Sequence, residues 1–246
     1  MEDAIAKMRS DWDSRAREDF RYYIACERRD QPDSEFSGGG LDISARIRRD
    51  VRWLPETATP RSRRFLEIGC GVGRLMRHLS QDCGEIHGVD VSGEMIRIGR
   101  DRLANIPHAR FHVAGDSDLA DFANDSFDLV YSFAVFQHIP GNDLIWRYIQ
   151  EAFRVLKPGG ILVAQLNGAP PAAERTDTWI GTWIPAGELA SGIRDRGWRL
   201  LSLEGADTQY LWFTSQKHTS APPPARWRRQ TFELASIKSP ALMATR

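Results

Sequence analysis

The chain has 246 residues, 41% of them hydrophobic and 27% charged. That is enough apolar material for one globular α/β domain with appendages, folding without disulfides or a structural metal. Its 33 basic and 33 acidic residues cancel, so no whole-protein field draws it to nucleic acid or an acidic membrane. Cys26, Cys70 and Cys83 are far apart and form no CxxC or zinc-spaced cluster, so no metal site is expected. An odd cysteine count without a framework fits a reducing, cytoplasmic setting. No basic n-region with an apolar h-region opens the chain, and no apolar run approaches the ~18 residues of a membrane span.

Residues 1–60 read as a helical extension. Ile5, Met8, Trp12, Ala16, Phe20, Tyr23 and Ile24 recur in steps of three and four, which describes one face of a long helix. Such a helix packs on the domain edge or lies as a lid over a ligand. Ser37-Gly-Gly-Gly40 then breaks the chain, as a hinge or as a loop of close approach. A second helix follows, with Ile43, Ile47, Val51 and Leu54 on one face.

From residue 61 to 216 short apolar runs alternate with amphipathic segments. Phe65-Leu-Glu-Ile68, Glu85 to Val89, Arg110 to Val113, Phe127 to Phe133 and Ile161 to Leu166 read as strands. Helices fall at Val72–Leu79, Ser92–Leu103, with Ser92 as N-cap, and Asn142–Leu156. The alternation predicts a doubly wound, mostly parallel sheet with helices on both faces. An excursion over 168–185 carries Trp179 and Trp183. A helix over Glu188–Arg196 and a hairpin of Trp198–Leu203 with Tyr210–Ser215 close the sheet by an antiparallel edge. Residues 217–246, with Pro-Pro-Pro and six basic residues against one acidic, read as a solvated tail. No segment shows a heptad seam that would set an oligomeric state.

The strongest signal is Glu67-Ile-Gly69-Cys70-Gly71-Val-Gly73, set between a strand and a helix. Glycines there bring a ligand against bare main chain, and the helix N-terminus adds N–H donors. The spacing is G-x-G-x-G, and a carboxylate, Glu67, precedes it. That is a poor neighbour for a pyrophosphate and a good one for an ammonium group. Asp90 ends the second strand, where a carboxylate takes both hydroxyls of a ribose. Its bland alternative, a helix cap, is weakened because Ser92 fills that role. Asp116, in Ala114-Gly-Asp-Ser117, suits an exocyclic amine of adenine or a simple turn.

These residues resemble the class I S-adenosylmethionine-dependent methyltransferases, and more narrowly the small-molecule type 11 domain. The resemblance runs from about Arg64 to Ala164. It rests on Leu66-Glu-Ile-Gly-Cys-Gly-Val-Gly-Arg74, Gly88-Val-Asp-Val-Ser92, Phe127-Asp-Leu-Val-Tyr-Ser132 and Arg154-Val-Leu-Lys-Pro-Gly-Gly160, in that order. It implies a seven-stranded, Rossmann-like sheet of order 3-2-1-4-5-7-6, with S-adenosylmethionine as cofactor. Glu67, Gly69, Cys70, Gly71 and Gly73 would shape the loop at its methionine end, and Asp90 would take its ribose. Val91 and Met95 would flank its adenine, Asp116 and Ser117 would hold the adenine edge, and Phe133 would face the sulfonium. Lys157-Pro-Gly-Gly160 reads as a turn aiming the fifth strand.

Methyl transfer from a sulfonium releases a neutral leaving group, so catalysis rests on alignment, with a base only where the acceptor must lose a proton. His138, just past the fourth strand, is the candidate base; its alternative is a histidine that orders the loop. His108 and His112 lie ~13 Å apart on an extended strand and make no metal pair. Trp12, Tyr22, Tyr23, Phe36, Trp179 and Trp183 are candidate aromatics outside the shared core and suit an apolar small-molecule acceptor. Three rivals carry less support. A dinucleotide oxidoreductase has the wrong glycine spacing here. A catalytically silent scaffold would not need Glu67, Gly69, Gly71 and Asp90 intact. A nucleic-acid methyltransferase would need a basic surface and a different sequence after the fourth strand, where Ser132-Phe-Ala-Val stands.

Overall fold

A computed structural model describes residues 2–25, 28–56, 58–115, 119–170 and 178–218. Asp116, Ser117 and the 219–246 tail lie outside them.

Seven strands form one sheet: β1 (Arg64–Ile68), β2 (Glu85–Asp90), β3 (Ala109–Val113), β4 (Phe127–Ser132), β5 (Leu156–Leu166), β6 (Arg199–Glu204) and β7 (Leu211–Gln216). Their order is β3-β2-β1-β4-β5-β7-β6, and β7 runs antiparallel to both β5 and β6. The strands alternate their burial between two cores. Leu66, Val130 and Leu162 join one cluster, while Phe65, Leu129 and Ile161 join the other. Period two on a sheet covered on both sides requires this, because neighbouring side chains leave opposite faces. On the second face lie α3 (Leu41–Asp50), α4 (Arg74–Leu79) and α5 (Gly93–Arg102); on the first, α6 (Asn142–Val155) and α7 (Ala186–Asp195). Ser92 caps α5 as its sequence predicts, accepting from Met95 N at 3.0 Å.

Three local expectations need correction. The N-terminal stripe does not make one straight helix. In α1 (Glu2–Ala25) the backbone is extended at Asp19, with φ −167° and ψ 86°. The Asp19 carboxylate accepts from Tyr22 N at 3.2 Å and so restarts the helix with a cap of its own. The break expected at Ser37-Gly-Gly-Gly40 is narrower: a short helix, α2 (Asp33–Gly38), takes in Ser37 and Gly38, and the chain turns at Gly39 and Gly40. Gly40 serves close approach: a Cβ there would meet His78, Leu75 and Arg74 within 3.3 Å. Lys157-Pro-Gly-Gly160 is not a turn but the first part of β5, bulged where its register with β4 shifts between Phe127 and Leu129. Gly159 supplies the left-handed φ of +81° that the bulge needs. The Lys157 ammonium sits 2.8 Å from the Asp128 carboxylate.

Candidate functional site

Strand order reverses between β1 and β4, and the site lies at their carboxyl ends, where an open parallel sheet leaves a crevice. Gly69, Gly71 and Gly73 all have positive φ, of 70°, 51° and 76°. At Gly69 a Cβ would stand 2.3 Å from Val135, so only glycine lets the loop pass beneath the β4 end. Gly71 N donates to Asp90 Oδ2 at 2.8 Å, and Ser92 N donates to Oδ1 at 2.9 Å. The ends of β1 and β2 are thereby tied through one carboxylate, whose remaining lone pairs stay available.

The pocket above this floor holds about 1020 Å³ of space, its open mouth included. Glu67, Gly69, Cys70, Gly71, Asp90, Val91, Met95 and Phe133 all line it, as does His138. Gly73 does not. It begins α4, and a Cβ there would strike Phe111 at 2.8 Å and Leu103 at 3.0 Å, so its task is packing. Phe133 stacks on Trp212, with ring centres 5.3 Å apart, and that contact fixes its plane.

Two carboxylates here are far from their ordinary state. Glu67 is 3% exposed, and burial pushes its pKa up to about 8, against the opposing pull of a hydrogen bond from the Tyr131 hydroxyl (3.0 Å) and of the Arg74 charge. Burial also lifts Asp90 to about 6, despite its backbone donors. Desolvation without a fully matching cation has this effect. A cationic ligand with adjacent hydroxyls would relieve both groups. Burial raises the Cys70 thiol well above its usual range, which leaves it unsuited to act as a nucleophile. Arg74 lines the pocket beside Glu67, a placement that sequence reasoning missed. Its position directly after the glycine motif was the available signal.

The N-terminal helix roofs the pocket. Met8, Trp12, Tyr23 and Ile24 line it from above, and Ile24 Cδ1 lies 3.0 Å from where a Gly71 Cβ would be. The helix is fastened along the strand ends. Asp13 Oδ1 accepts from Ser92 Oγ at 2.6 Å and from Glu94 N at 3.1 Å, and the Arg9 guanidinium donates to Ala114 O at 3.0 Å. Of the other aromatics, Phe36 is buried against Phe20, Tyr22 packs on Tyr23, and neither lines the pocket; nor does Trp183.

His138 is 8% exposed and ends the short 3₁₀ turn Phe136–His138. Its ring lies 5.2 Å from those of both Trp12 and Trp179. Its Nδ1 is 2.6 Å from the Trp179 carbonyl oxygen. His108 and His112 go separate ways: His108 Nε2 is 2.9 Å from Ser80 O, and His112 Nε2 is 3.1 Å from His87 Nδ1. Among the described residues no helix is long and apolar enough to cross a membrane.

A glycine loop after β1, an acid at the end of β2 and a crevice at the β1–β4 switch point define a nucleoside-binding domain of the doubly wound class. Comparison with known proteins narrows it. Residues 66–164 match the methyltransferase domain family. Phosphoethanolamine N-methyltransferase 2 of Caenorhabditis elegans is 32% identical over 106 residues, which are 42% of this chain and 24% of that protein. A ubiquinone biosynthesis O-methyltransferase of Xanthomonas axonopodis pv. citri is 27% identical over 171 residues, 63% of this chain and 70% of that one. Among solved structures, the DhpI–SAH complex superposes with a TM-score of 0.59 at 21% identity, over 87% of this chain and 97% of that one. The matches span only 24% to 35% of the first three curated relatives. The chain carries a class I S-adenosylmethionine-dependent methyltransferase domain.

Proposed function

We propose that the protein methylates a small, largely apolar acceptor at an oxygen or nitrogen that carries a proton. The observation behind this reading is the pair Glu67 and Asp90, buried at the ends of adjacent strands over a bare glycine floor and held above the carboxylate range. A ligand with an ammonium group and a ribose answers both. When bound, S-adenosylmethionine supplies an electrophilic methyl carbon on a sulfonium.

The residues divide the work by position. Glu67 would take the ammonium, and Arg74, beside it, the carboxylate of the same amino-acid end. Asp90 would accept from the ribose hydroxyls, with Val91 and Met95 against the adenine faces. Asp116 and Ser117, by resemblance, would meet the adenine edge. Phe133 would face the reacting centre. Met8, Trp12, Tyr23 and Ile139 make an apolar wall on the acceptor side, and α1 keeps water from it. His138 would receive the acceptor's proton at Nε2 as the new bond forms, and release it to solvent afterwards. Relatives named for O- and N-methylation of small molecules support a small acceptor.

The test is transfer of labelled methyl from S-adenosylmethionine to a panel of neutral phenols, hydroxyquinones and aryl or alkyl amines. We expect at least one to be methylated, and His138→Ala to slow that transfer by roughly 10²–10⁴-fold. Methylation of none, by protein that binds the cofactor, would overturn the acceptor reading.

A further inference from the structure

Gln165 is fully buried near the carboxyl end of β5, among otherwise apolar strand residues. A buried amide needs a reason, because each unmet polar group there is costly. Its partners also determine which way it points. Gln165 Oε1 accepts from the backbone N–H of Ala134 at 2.9 Å, and Gln165 Nε2 donates to the backbone carbonyl of Gln209 at 2.7 Å. Neither backbone group can change role, so the oxygen and nitrogen of Gln165 cannot be exchanged. Its second N–H donates to Gln137 Oε1 at 3.1 Å. That assigns the Gln137 oxygen, and leaves the Gln137 NH₂ facing His138 Nε2 at 3.3 Å. An NH₂ only donates, so Nε2 must accept.

The other side of the ring gives the same answer independently. The Trp179 carbonyl, 2.6 Å from His138 Nδ1, only accepts, so Nδ1 carries the hydrogen. That carbonyl is itself held in place. Gly181 N donates to Gln137 O, and Thr182 N to Ile139 O, both at 2.9 Å, which clamps the 179–182 segment to the turn bearing His138. A Cβ on Gly181 would lie 2.5 Å from Ile139 O, so the two backbones meet as closely as glycine allows. Ala134, where the relay starts, has a φ of +56°, a conformation that side-chain-bearing residues rarely adopt. The Gln165 bond supports it there.

We propose that Gln165 and Gln137 are positioning residues that, with the Trp179 carbonyl, hold His138 as the neutral Nδ1–H tautomer, its Nε2 lone pair kept as a hydrogen-bond acceptor at the pocket wall. Free neutral histidine in water prefers the opposite tautomer, with the proton on Nε2, so the relay reverses the intrinsic preference. Gln137 acts as a placeholder. It occupies Nε2 through a long, weak hydrogen bond until an O–H or N–H of the acceptor takes its place. His138 therefore selects acceptors that donate, and rejects anionic oxygens at that position. This rests on the acceptor reading above for its purpose, but the tautomer does not depend on any acceptor.

The experiment is long-range ¹H–¹⁵N spectroscopy of the full chain labelled at its six histidine rings, with His138 assigned by its absence in His138→Gln. In the unaltered protein Nδ1 should show a pyrrole-type shift and Nε2 a pyridine-type shift. Gln137→Leu removes the donor at Nε2; its resonance should move further toward the unbonded pyridine position while Nδ1 stays. Gln165→Met frees the Gln137 amide to turn its oxygen inward, and both ring shifts should move toward each other as the tautomers exchange. A proton on Nε2 in the unaltered protein would overturn the proposal. So would His138 shifts that neither substitution changes. If Gln165→Met does not fold, Gln137→Leu alone decides, since that side chain is only half-buried. Titration of the same unaltered protein with S-adenosylmethionine is read separately. Failure to bind would count against the methyltransferase reading and leave the tautomer result standing.

Discussion

Substituting Glu67 by Gln should make the ligand-free protein more stable at neutral and alkaline pH. The carboxyl is buried with its pKa at about 8 instead of the ordinary 4.5. Between those values the folded state holds a proton that the unfolded chain has lost. Stability therefore falls as pH rises through the window, and the loss is complete only above about 8. At ~1.36 kcal/mol per pH unit, the full span amounts to about 5 kcal/mol. Glutamine keeps an oxygen for the Tyr131 hydroxyl and carries no charge, so the variant escapes this loss. The smaller contribution of Asp90, raised to about 6, is present in both proteins and largely cancels in the difference. Urea denaturation at a series of pH values measures the effect. The variant should gain on the parent progressively from about pH 5 to pH 8 and then level off. A stability difference that does not change with pH would refute the claim that Glu67 is a desolvated, proton-holding carboxyl. On the proposed assignment of Glu67 to the cofactor's ammonium, the same substitution should weaken cofactor binding, because that ammonium then meets a neutral amide.

Two further outcomes follow from the geometry. Gly69→Ala combines a left-handed φ of 70° with a 2.3 Å approach to Val135, so it should cost roughly 2–4 kcal/mol in denaturation; Gly141→Ala, where a Cβ meets nothing within 4 Å, should change little. Asp13→Ala removes the acceptor that fastens α1 to Ser92 and Glu94, and should cost ~1 kcal/mol. Hydrogen exchange should then quicken in residues 2–25 while the strand amides of β1 and β4 stay protected; unchanged α1 protection would show that the helix is held elsewhere.

The parts of the fold that periodicity controls were legible in the chain. The alternating runs at 65–68, 85–89 and 127–133 are strands buried on both faces, and such strands cannot hide their composition. Glu67, Gly69, Gly71 and Asp90 were legible because their spacing carries a chemical demand. What could not be read depends on side chains far apart in sequence. Asp19 looks like any polar residue on a helix surface until its carboxylate turns to cap Tyr22 N. Gln165 interrupts an apolar strand without announcing a role, because its partners stand at 134, 137 and 209. The Trp179–His138 contact joins segments 41 residues apart through backbone pairing, which no pattern encodes. Lys157-Pro-Gly-Gly160 misled for the opposite reason: its turn residues are real, but the tertiary ladder with β4 absorbs them as a bulge.

Calorimetric titration of the full chain with S-adenosylmethionine and S-adenosylhomocysteine, beside Asp90→Ala, decides whether the pocket binds the cofactor. Asp90 joins the glycine loop to the end of β2 and faces the pocket, so one substitution removes both the tie and the proposed ribose partner. Saturable binding of both ligands, lost in Asp90→Ala while the fold persists, is the predicted result. Binding of neither ligand to the well-folded parent, or binding that Asp90→Ala leaves intact, would contradict it.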